Sequence, residues 1–430
     1  MIRAITPRVV SGTIAAIPSK SQAHRLLIGA ALSNRPTVLH CTQTSADIEA
    51  TAACLCGFGA KTERTHEGYT VTPIEKQSGS RERLTVDVGE SGSTLRFLLP
   101  IAGALGLSVR FVLHGRLPQR PLSPLWEELT AHGMTLTREA DGSVCADGQL
   151  QAGEYRLPGN ISSQFISGLL FALPLLPADS RICLTTTVES ASYIRMTQQV
   201  LAQFGVRIKN TAQTYTVPGG QVYRAASEYR VEGDWSNAAF ALSMGALGGS
   251  GVTVTDLCLE SMQGDRKILD LLRAFGAKVS VTDSSVTVRP APLHGITIDA
   301  ADIPDLVPVL AAVATVAQGE TQIIHAERLR IKESNRLQTV GTLLRTLGAE
   351  MTETVDGLYI YGGKPLHGGT VDAAGDHRIA MTAAVASVKC SHTVTVLGAE
   401  AVHKSYPAFW ADFAALGAQW TTITEKEVQK

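Results

Sequence analysis

A cation in the first turn of a helix opposes the helix dipole, and this chain places several of them there. Lys20 and Arg25 accompany Ser21, Arg96 follows Ser91-Gly92-Ser93, and His377 and Arg378 follow Asp376. Each group opens a run of small apolar residues, so each reads as the start of a buried helix. Such an end exposes free N–H groups and a positive dipole, which attract anions and repel cations. N-capping accounts for Ser21, Ser91, Ser162, Ser236 and Asp376. It does not account for the cations beside them, which need a bound polyanion as their source of stabilisation. Arg116, Arg120, Arg330, Lys332, Arg336 and Lys404 add the same sign in loops and at a further helix. Read as one helix over 332–347, Lys332 and Arg336 share a face at i,i+4, with Glu333 three before Arg336.

An internal repeat positions these groups. Six times a helical pattern ends in Gly and resumes as a strand, at Phe58-Gly59-Ala60, His132-Gly133-Met134, Phe204-Gly205-Val206, Phe275-Gly276-Ala277, Leu347-Gly348-Ala349 and Leu416-Gly417-Ala418. The spacing is roughly 70 residues, longer than the usual solenoid periods. Each copy also carries a strand, a polar turn, a small-residue apolar helix and another strand, so the unit reads βαβαββ. Segments such as 236–248 and 304–316 are apolar nearly all round and must be buried, whereas 192–204 and 332–347 are amphipathic and lie outside. Three units make a domain. The expected fold is α/β (α+β), with two domains of three repeats each around buried central helices, an inside-out α/β barrel. The expected domains are 19–230, and 1–18 together with 231–430, joined by two crossovers.

Composition narrows the partners. Lys and Arg number 38 against 39 Asp and Glu, a net charge of −1, so positive potential is focused rather than global. Aromatics at 5% argue against base-stacking nucleic-acid modules. The seven cysteines form no pair of CxxC motifs, and buried thiols in a reducing compartment are expected. The greasiest stretch, 97–109, is shorter than the roughly 20 residues of a membrane helix and is interrupted by Pro100, Gly103 and Gly106. No apolar signal core follows Met1. A cytoplasmic, monomeric protein without nucleic-acid or membrane partners is expected.

Pro18-Ser19-Lys20-Ser21-Gln22-Ala23-His24-Arg25, Gly92-Ser93-Thr94-Leu95-Arg96, Ser162-Ser163-Gln164-Phe165, Arg330-Ile331-Lys332-Glu333-Ser334-Asn335-Arg336-Leu337 and Gly375-Asp376-His377-Arg378-Ile379-Ala380-Met381 resemble the motifs of the 5-enolpyruvylshikimate-3-phosphate synthase family. The resemblance runs through all six units. It implies two three-repeat domains with the active site in the cleft between them, closing by induced fit, and no metal or organic cofactor. The implied reaction moves the enolpyruvyl group of phosphoenolpyruvate to the 5-hydroxyl of shikimate 3-phosphate and releases phosphate, a transferase step of the shikimate pathway towards chorismate and the aromatic amino acids. The two substrates carry about −5 to −6 between them, which the cations Lys20, Arg25, Arg96, Arg120, Lys332, Arg336, Arg378 and Lys404 would balance.

Residue by residue, the resemblance makes Lys20, Ser21, Arg25, Ser162, Ser163, Gln164, Ser190, Tyr193, Asp305 and Lys332 the shikimate 3-phosphate contacts. Lys20, Gly92, Arg96, Arg120, Gln164, Arg336, Arg378 and Lys404 are the corresponding phosphoenolpyruvate contacts. Arg120 is preferred to Arg116 because it directly precedes Pro121. Asp305 corresponds to the base that takes the 5-hydroxyl proton and Glu333 to the acid that protonates the methylene carbon, with Lys20 the third catalytic group. Lys332 and Arg336 oppose protonation of Glu333, and substrate anions would offset them.

Glu90, Phe97, Arg328 and Asn335 depart from the commoner family pattern and bear on the phosphoenolpyruvate pocket, including its sensitivity to glyphosate, rather than on the reaction. Two rival readings share the fold: an enolpyruvyl transferase acting on UDP-N-acetylglucosamine, and a non-catalytic anion-binding protein. The first usually carries a Cys in the loop that is 113–121 here, where this chain has none. The second has no need of Asp305 and Glu333 beside a full set of cations.

Overall fold

All six repeat glycines, Gly59, Gly133, Gly205, Gly276, Gly348 and Gly417, sit at positive φ, which a Cβ would resist, and each turns a helix into a strand. The computed structural model describes residues 1–75 and 82–428. Among these, no helix is long and apolar enough to cross a membrane. The chain divides into two compact units, Lys20–Val231 and Met1–Ser19 with Glu232–Lys430. Each contains three four-stranded sheets.

In the Lys20–Val231 unit the helices are α1 (Lys20–Ala31), α2 (Ala46–Gly57), α3 (Gly92–Leu105), α4 (Leu125–Ala131), α5 (Ser163–Ala172) and α6 (Ala191–Gln203). The middle sheet shows the plan. Leu84–Asp87 runs parallel to Val109–Val112, with α3 as the crossover, and Val144–Gly148 and Met134–Arg138 complete it antiparallel. α1, α3 and α5 are mostly buried, and α3 and α5 lie close along their lengths. Gly168 permits that approach, because a Cβ there would stand 2.2 Å from the Arg96 carbonyl oxygen. α6 is amphipathic as its sequence requires, burying Ile194, Met196, Val200 and Leu201.

The other unit repeats the plan with α7 (Trp235–Leu247), α8 (Ile268–Phe275), α9 (Val307–Ala314), α10 (Arg336–Thr346), α11 (His377–Ser387) and α12 (Phe409–Ala415). α7, α9 and α11 pack on one another, and nearly every residue in them is buried. Each unit has its own continuous apolar core.

Two sheets borrow their leading strand. Ser11–Ala15, just before α1, pairs in parallel with Gly251–Thr255 and so belongs to the unit of α7. Glu228–Arg230, just before α7, pairs in parallel with Thr37–His40 in the unit of α1. Ile2–Thr6 fits between Val394–Leu397 and Gln419–Ile423, completing the sixth sheet.

The helix expected over 332–347 begins later. Glu327–Ile331 is a 3-10 turn, Lys332 to Asn335 form a non-helical link, and α10 starts at Arg336 with Asn335 as its cap. Lys332 and Arg336 therefore do not share a helical face. Across the break Lys332 and Arg336 still meet the same carboxylate, Asp305, and Glu333 pairs with Arg336.

Candidate active site

The residues singled out by sequence fall into two groups, one in each unit. In the Lys20–Val231 unit they gather at the N-termini of α1, α3 and α5. Lys20, the first residue of α1, pairs with Asp47 of α2 at 2.8 Å. Arg25, one turn on, is buried. Its Nε donates to Thr197 Oγ1 at 2.8 Å, and its Nη atoms donate to the carbonyls of Ser21 (2.6 Å) and Tyr193 (3.0 Å). The guanidinium lies over the Phe97 ring, and burial lowers its pKa to about 10, which leaves it charged at neutral pH. Ser190, before α6, is buried and held at φ 55°, a left-handed conformation rare for serine.

At α3, Ser91 caps the helix by accepting from the Thr94 amide. Arg96 donates to Gln164 Oε1 at 3.1 Å and to the Pro121 carbonyl at 2.9 Å, and Gln164 donates in turn to Ser93 at 2.8 Å. Gly92 backs onto this cluster. A Cβ there would meet Arg96 Nη1 at 2.5 Å and Arg120 Nη1 at 2.8 Å. Arg120 and Gly92 are thus neighbours, whereas Arg116 is exposed. Ser162 caps α5 by accepting from the Gln164 amide at 3.3 Å, and Ser163 is its first residue. A buried chain of side-chain hydrogen bonds, His24 to Thr51 to Thr94 to Ser91, ties the starts of α1, α2 and α3 together. Burial lowers the His24 pKa to about 3, so this imidazole is neutral.

In the other unit the group is knit by ion pairs. Arg336, 1% exposed, donates to Asp305 at 2.8 Å, to Glu333 at 2.7 Å and to Asp376 at 2.8 and 3.2 Å. Arg378 donates to the Asp305 carbonyl at 3.1 Å and to Ser236 Oγ at 2.9 Å, and stands 3.4 Å from the Asp305 carboxylate. Lys332 lies 3.8 Å from the same carboxylate. Lys404 ends a 3-10 turn, Ala399–Lys404, that packs against α11.

These contacts set the charge states. Burial would raise the Asp305 pKa, but Arg378, Lys332 and Arg336 outweigh it and hold the carboxyl well below its usual range. Burial lowers Lys332 to about 8, with Asp305 opposing the shift. For Arg336, burial is overcome by Asp376, Glu333 and Asp305, which raise its pKa. The cluster therefore offers an ionised carboxylate, Asp305, amid cations that an incoming anion can share.

Two capping expectations are corrected. Ser236 does not cap α7; Asp234 does, accepting from the Asn237 amide at 2.8 Å, and this frees the Ser236 hydroxyl for Arg378. Ser21 is already inside α1. Asp376 does cap α11, at 3.0 Å to the Arg378 amide, but also grips Arg336 and accepts from Ser334. Asp47, Asp376 and Asp265 were not among the expected site residues. The signal for Asp376 was an aspartate directly before two cations; Asp47 and Asp265 become partners only through tertiary packing.

A profile of the family described as EPSP synthase (3-phosphoshikimate 1-carboxyvinyltransferase) matches residues 5–413. The chain is 41% identical over 421 residues to the 3-phosphoshikimate 1-carboxyvinyltransferase of Clostridium novyi (strain NT), covering 96% of this chain and 97% of the relative. It is 43% identical over 418 residues to the enzyme of that name from Clostridium perfringens (strain ATCC 13124), covering 96% and 97%. Among solved structures, EPSP synthase from Acinetobacter baumannii superposes with a TM-score of 0.80 at 22% identity, over 99% of this chain and 100% of that one. The enolpyruvyl transferase NikO from Streptomyces tendae gives a TM-score of 0.78 at 19% identity, over 98% of each chain, a likeness of fold.

Proposed function

Since the chain belongs to the EPSP synthase family and is a transferase, we propose that it moves the enolpyruvyl group of phosphoenolpyruvate to the 5-hydroxyl of shikimate 3-phosphate, with Asp305 as base and Glu333 as acid. One observation carries the assignment of roles. Arg336 binds both carboxylates, at 2.8 and 2.7 Å, which sets the two proton-transfer groups side by side.

Asp305 accepts the 5-hydroxyl proton as the oxygen attacks C2 of phosphoenolpyruvate, and Glu333 delivers a proton to the methylene carbon. The adduct is a tetrahedral intermediate carrying both phosphates. It loses a methyl proton and inorganic phosphate to give the enol ether. Asp305 is a weak base while three cations hold it. Substrate anions arriving at Arg336, Arg378 and Lys332 compete for those cations and return basicity to the carboxylate. Lys20 lies between the two substrates in this reading. Ser21, Arg25, Ser162, Ser163, Gln164, Ser190, Tyr193 and Lys332 hold shikimate 3-phosphate, and Gly92, Arg96, Arg120, Arg378 and Lys404 hold phosphoenolpyruvate.

A phosphate-release assay with both substrates, run against UDP-N-acetylglucosamine as rival acceptor, tests the reaction. Asp305→Asn and Glu333→Gln should each lower kcat by about 10²- to 10⁴-fold. Near-normal turnover in either variant removes that residue from its role. A monomeric cytoplasmic enzyme belongs to the same reading, and size-exclusion chromatography tests the first part.

A further inference from the structure

Asp265 sits on the 3-10 turn Gly264–Lys267, packed against α7, and is 3% exposed. Its Oδ2 accepts from the Ser236 hydroxyl, and Ser236 Oγ accepts from Arg378 Nη2 at 2.9 Å. Its Oδ1 is buried with no hydrogen-bond partner among the described residues. A serine hydroxyl has one proton to give. While Asp265 is a carboxylate that proton points to it, and Ser236 can only accept from Arg378. Once Asp265 is protonated, it can itself donate to Ser236, and the serine proton is released towards an oxygen of a ligand beside Arg378.

We propose that Asp265 is a positioning residue for the anion held by Arg378: its protonation, relayed through Ser236, sets how tightly phosphoenolpyruvate is bound. The proposal rests on the assignment of Arg378 to phosphoenolpyruvate made above. The charged groups facing Asp265 are Asp305 from the turn before α9, Arg378 from the start of α11 and Asp234 from the cap of α7. On its own turn, Arg266 is engaged with the Leu259 carbonyl. Burial first, and the charge of Asp305 second, push the carboxyl up to about 7, so the relay switches near neutral pH. As the pH rises through that value Asp265 gains a charge, Ser236 is locked as an acceptor, and the positive field at Arg378 is partly cancelled.

The test measures KM for phosphoenolpyruvate from pH 6 to 8.5 at saturating shikimate 3-phosphate, for the wild type, Asp265→Asn and Ser236→Ala. In the wild type KM should rise about fivefold across this range, a coupling of ordinary size. In Asp265→Asn the rise should vanish, with KM at pH 8 close to the wild-type value at pH 6. Ser236→Ala should have a raised KM throughout and keep only the smaller rise that the Asp265 charge imposes on Arg378 directly. Titration of the substrate's own phosphate is common to all three and cancels in the comparison. A second readout needs no turnover. A carboxyl raised above its unfolded value loses stability as pH climbs towards 7, so Asp265→Asn should gain in thermal midpoint on the wild type between pH 5 and pH 8. Parallel KM profiles with normal wild-type turnover, or an unchanged midpoint difference, overturn the proposal alone. A wild type that releases no phosphate overturns the reaction assignment, and the proposal's ligand with it.

Discussion

The two groups of candidate residues, one in each unit, hold their arginines by different means. Around α1, α3 and α5, Arg25 is bound to Thr197 and two carbonyls, and Arg96 to Gln164 and the Pro121 carbonyl. Around α7, α9 and α11, Arg336 is bound to three carboxylates and Arg378 to a serine and Asp305. Carbonyl and hydroxyl dipoles orient a guanidinium without cancelling its charge, so Arg25 keeps its positive field for an anion, while Lys20 of the same group is paired with Asp47 at 2.8 Å. In the second group the field is largely spent on neighbouring carboxylates, two of which are the groups assigned to move protons. One group is built to hold; the other is built so that an arriving anion changes the state of the side chains already there.

Removing one arginine from each group is the strongest way to break this contrast. Arg336→Ala strands Asp305, Glu333 and Asp376 without their common partner and should cost about 3–5 kcal/mol, since uncompensated buried charge is the penalty. Arg25→Ala leaves only neutral acceptors behind and should cost about 2 kcal/mol. Urea unfolding followed by far-UV circular dichroism reads both losses. Equal losses would mean that the carboxylates around Arg336 are not what distinguishes the groups.

A smaller perturbation sharpens the holding group. Gly92→Ala puts a methyl 2.5 Å from Arg96 Nη1 and 2.8 Å from Arg120 Nη1, so both guanidiniums must shift. Because these groups grip phosphoenolpyruvate in the proposed reading, its KM should rise about tenfold while that of shikimate 3-phosphate stays within about twofold, as a displacement worth about 1.4 kcal/mol would give. Steady-state kinetics with each substrate varied in turn checks this, and a rise confined to shikimate 3-phosphate would contradict it.

How much of this was legible beforehand follows the same divide. The repeat was readable because its signals are local: a left-handed glycine after each outer helix and small-residue apolar runs at the buried ones. The expected split set residues 1–18 with 231–430, and the contacts of the chain group Met1–Ser19 with Glu232–Lys430. The exchange of Ser11–Ala15 and Glu228–Arg230 between sheets is a non-local pairing that no spacing encodes. Lys20, Arg25, Arg96 and Arg378 stood out because each opposed a helix dipole, and Arg120, Lys332, Arg336 and Lys404 because they add the same sign nearby in sequence to such starts or in loops. Their partners did not, because an aspartate at a helix start, such as Asp376, satisfies a cap and hides its second role. The link Lys332 to Asn335 was misread as helix because its residues suit a polar helix face, whereas the buried demand of Asp376 and Asp305 for Arg336 fixes where α10 begins.

That link also supplies the smallest test. Burial lowers Lys332 to about 8, so its ammonium is present at neutral pH and lost as the pH climbs past that value. If the ammonium holds shikimate 3-phosphate, the KM for that substrate should climb a few-fold between pH 7.5 and 9. Stability should move the other way. The unfolded chain keeps its lysine protonated to a higher pH, so over the window from about 8 to the ordinary lysine value the unfolded state binds more protons and the folded state gains. Lys332→Arg stays charged throughout and should flatten both curves, with parallel thermal melts and kinetics reporting on the same samples. Affinity and stability changing with the same sign would show that Lys332 is a structural cation only. The contrast between a group that holds and a group that responds would then rest on Arg336 and Arg378 alone.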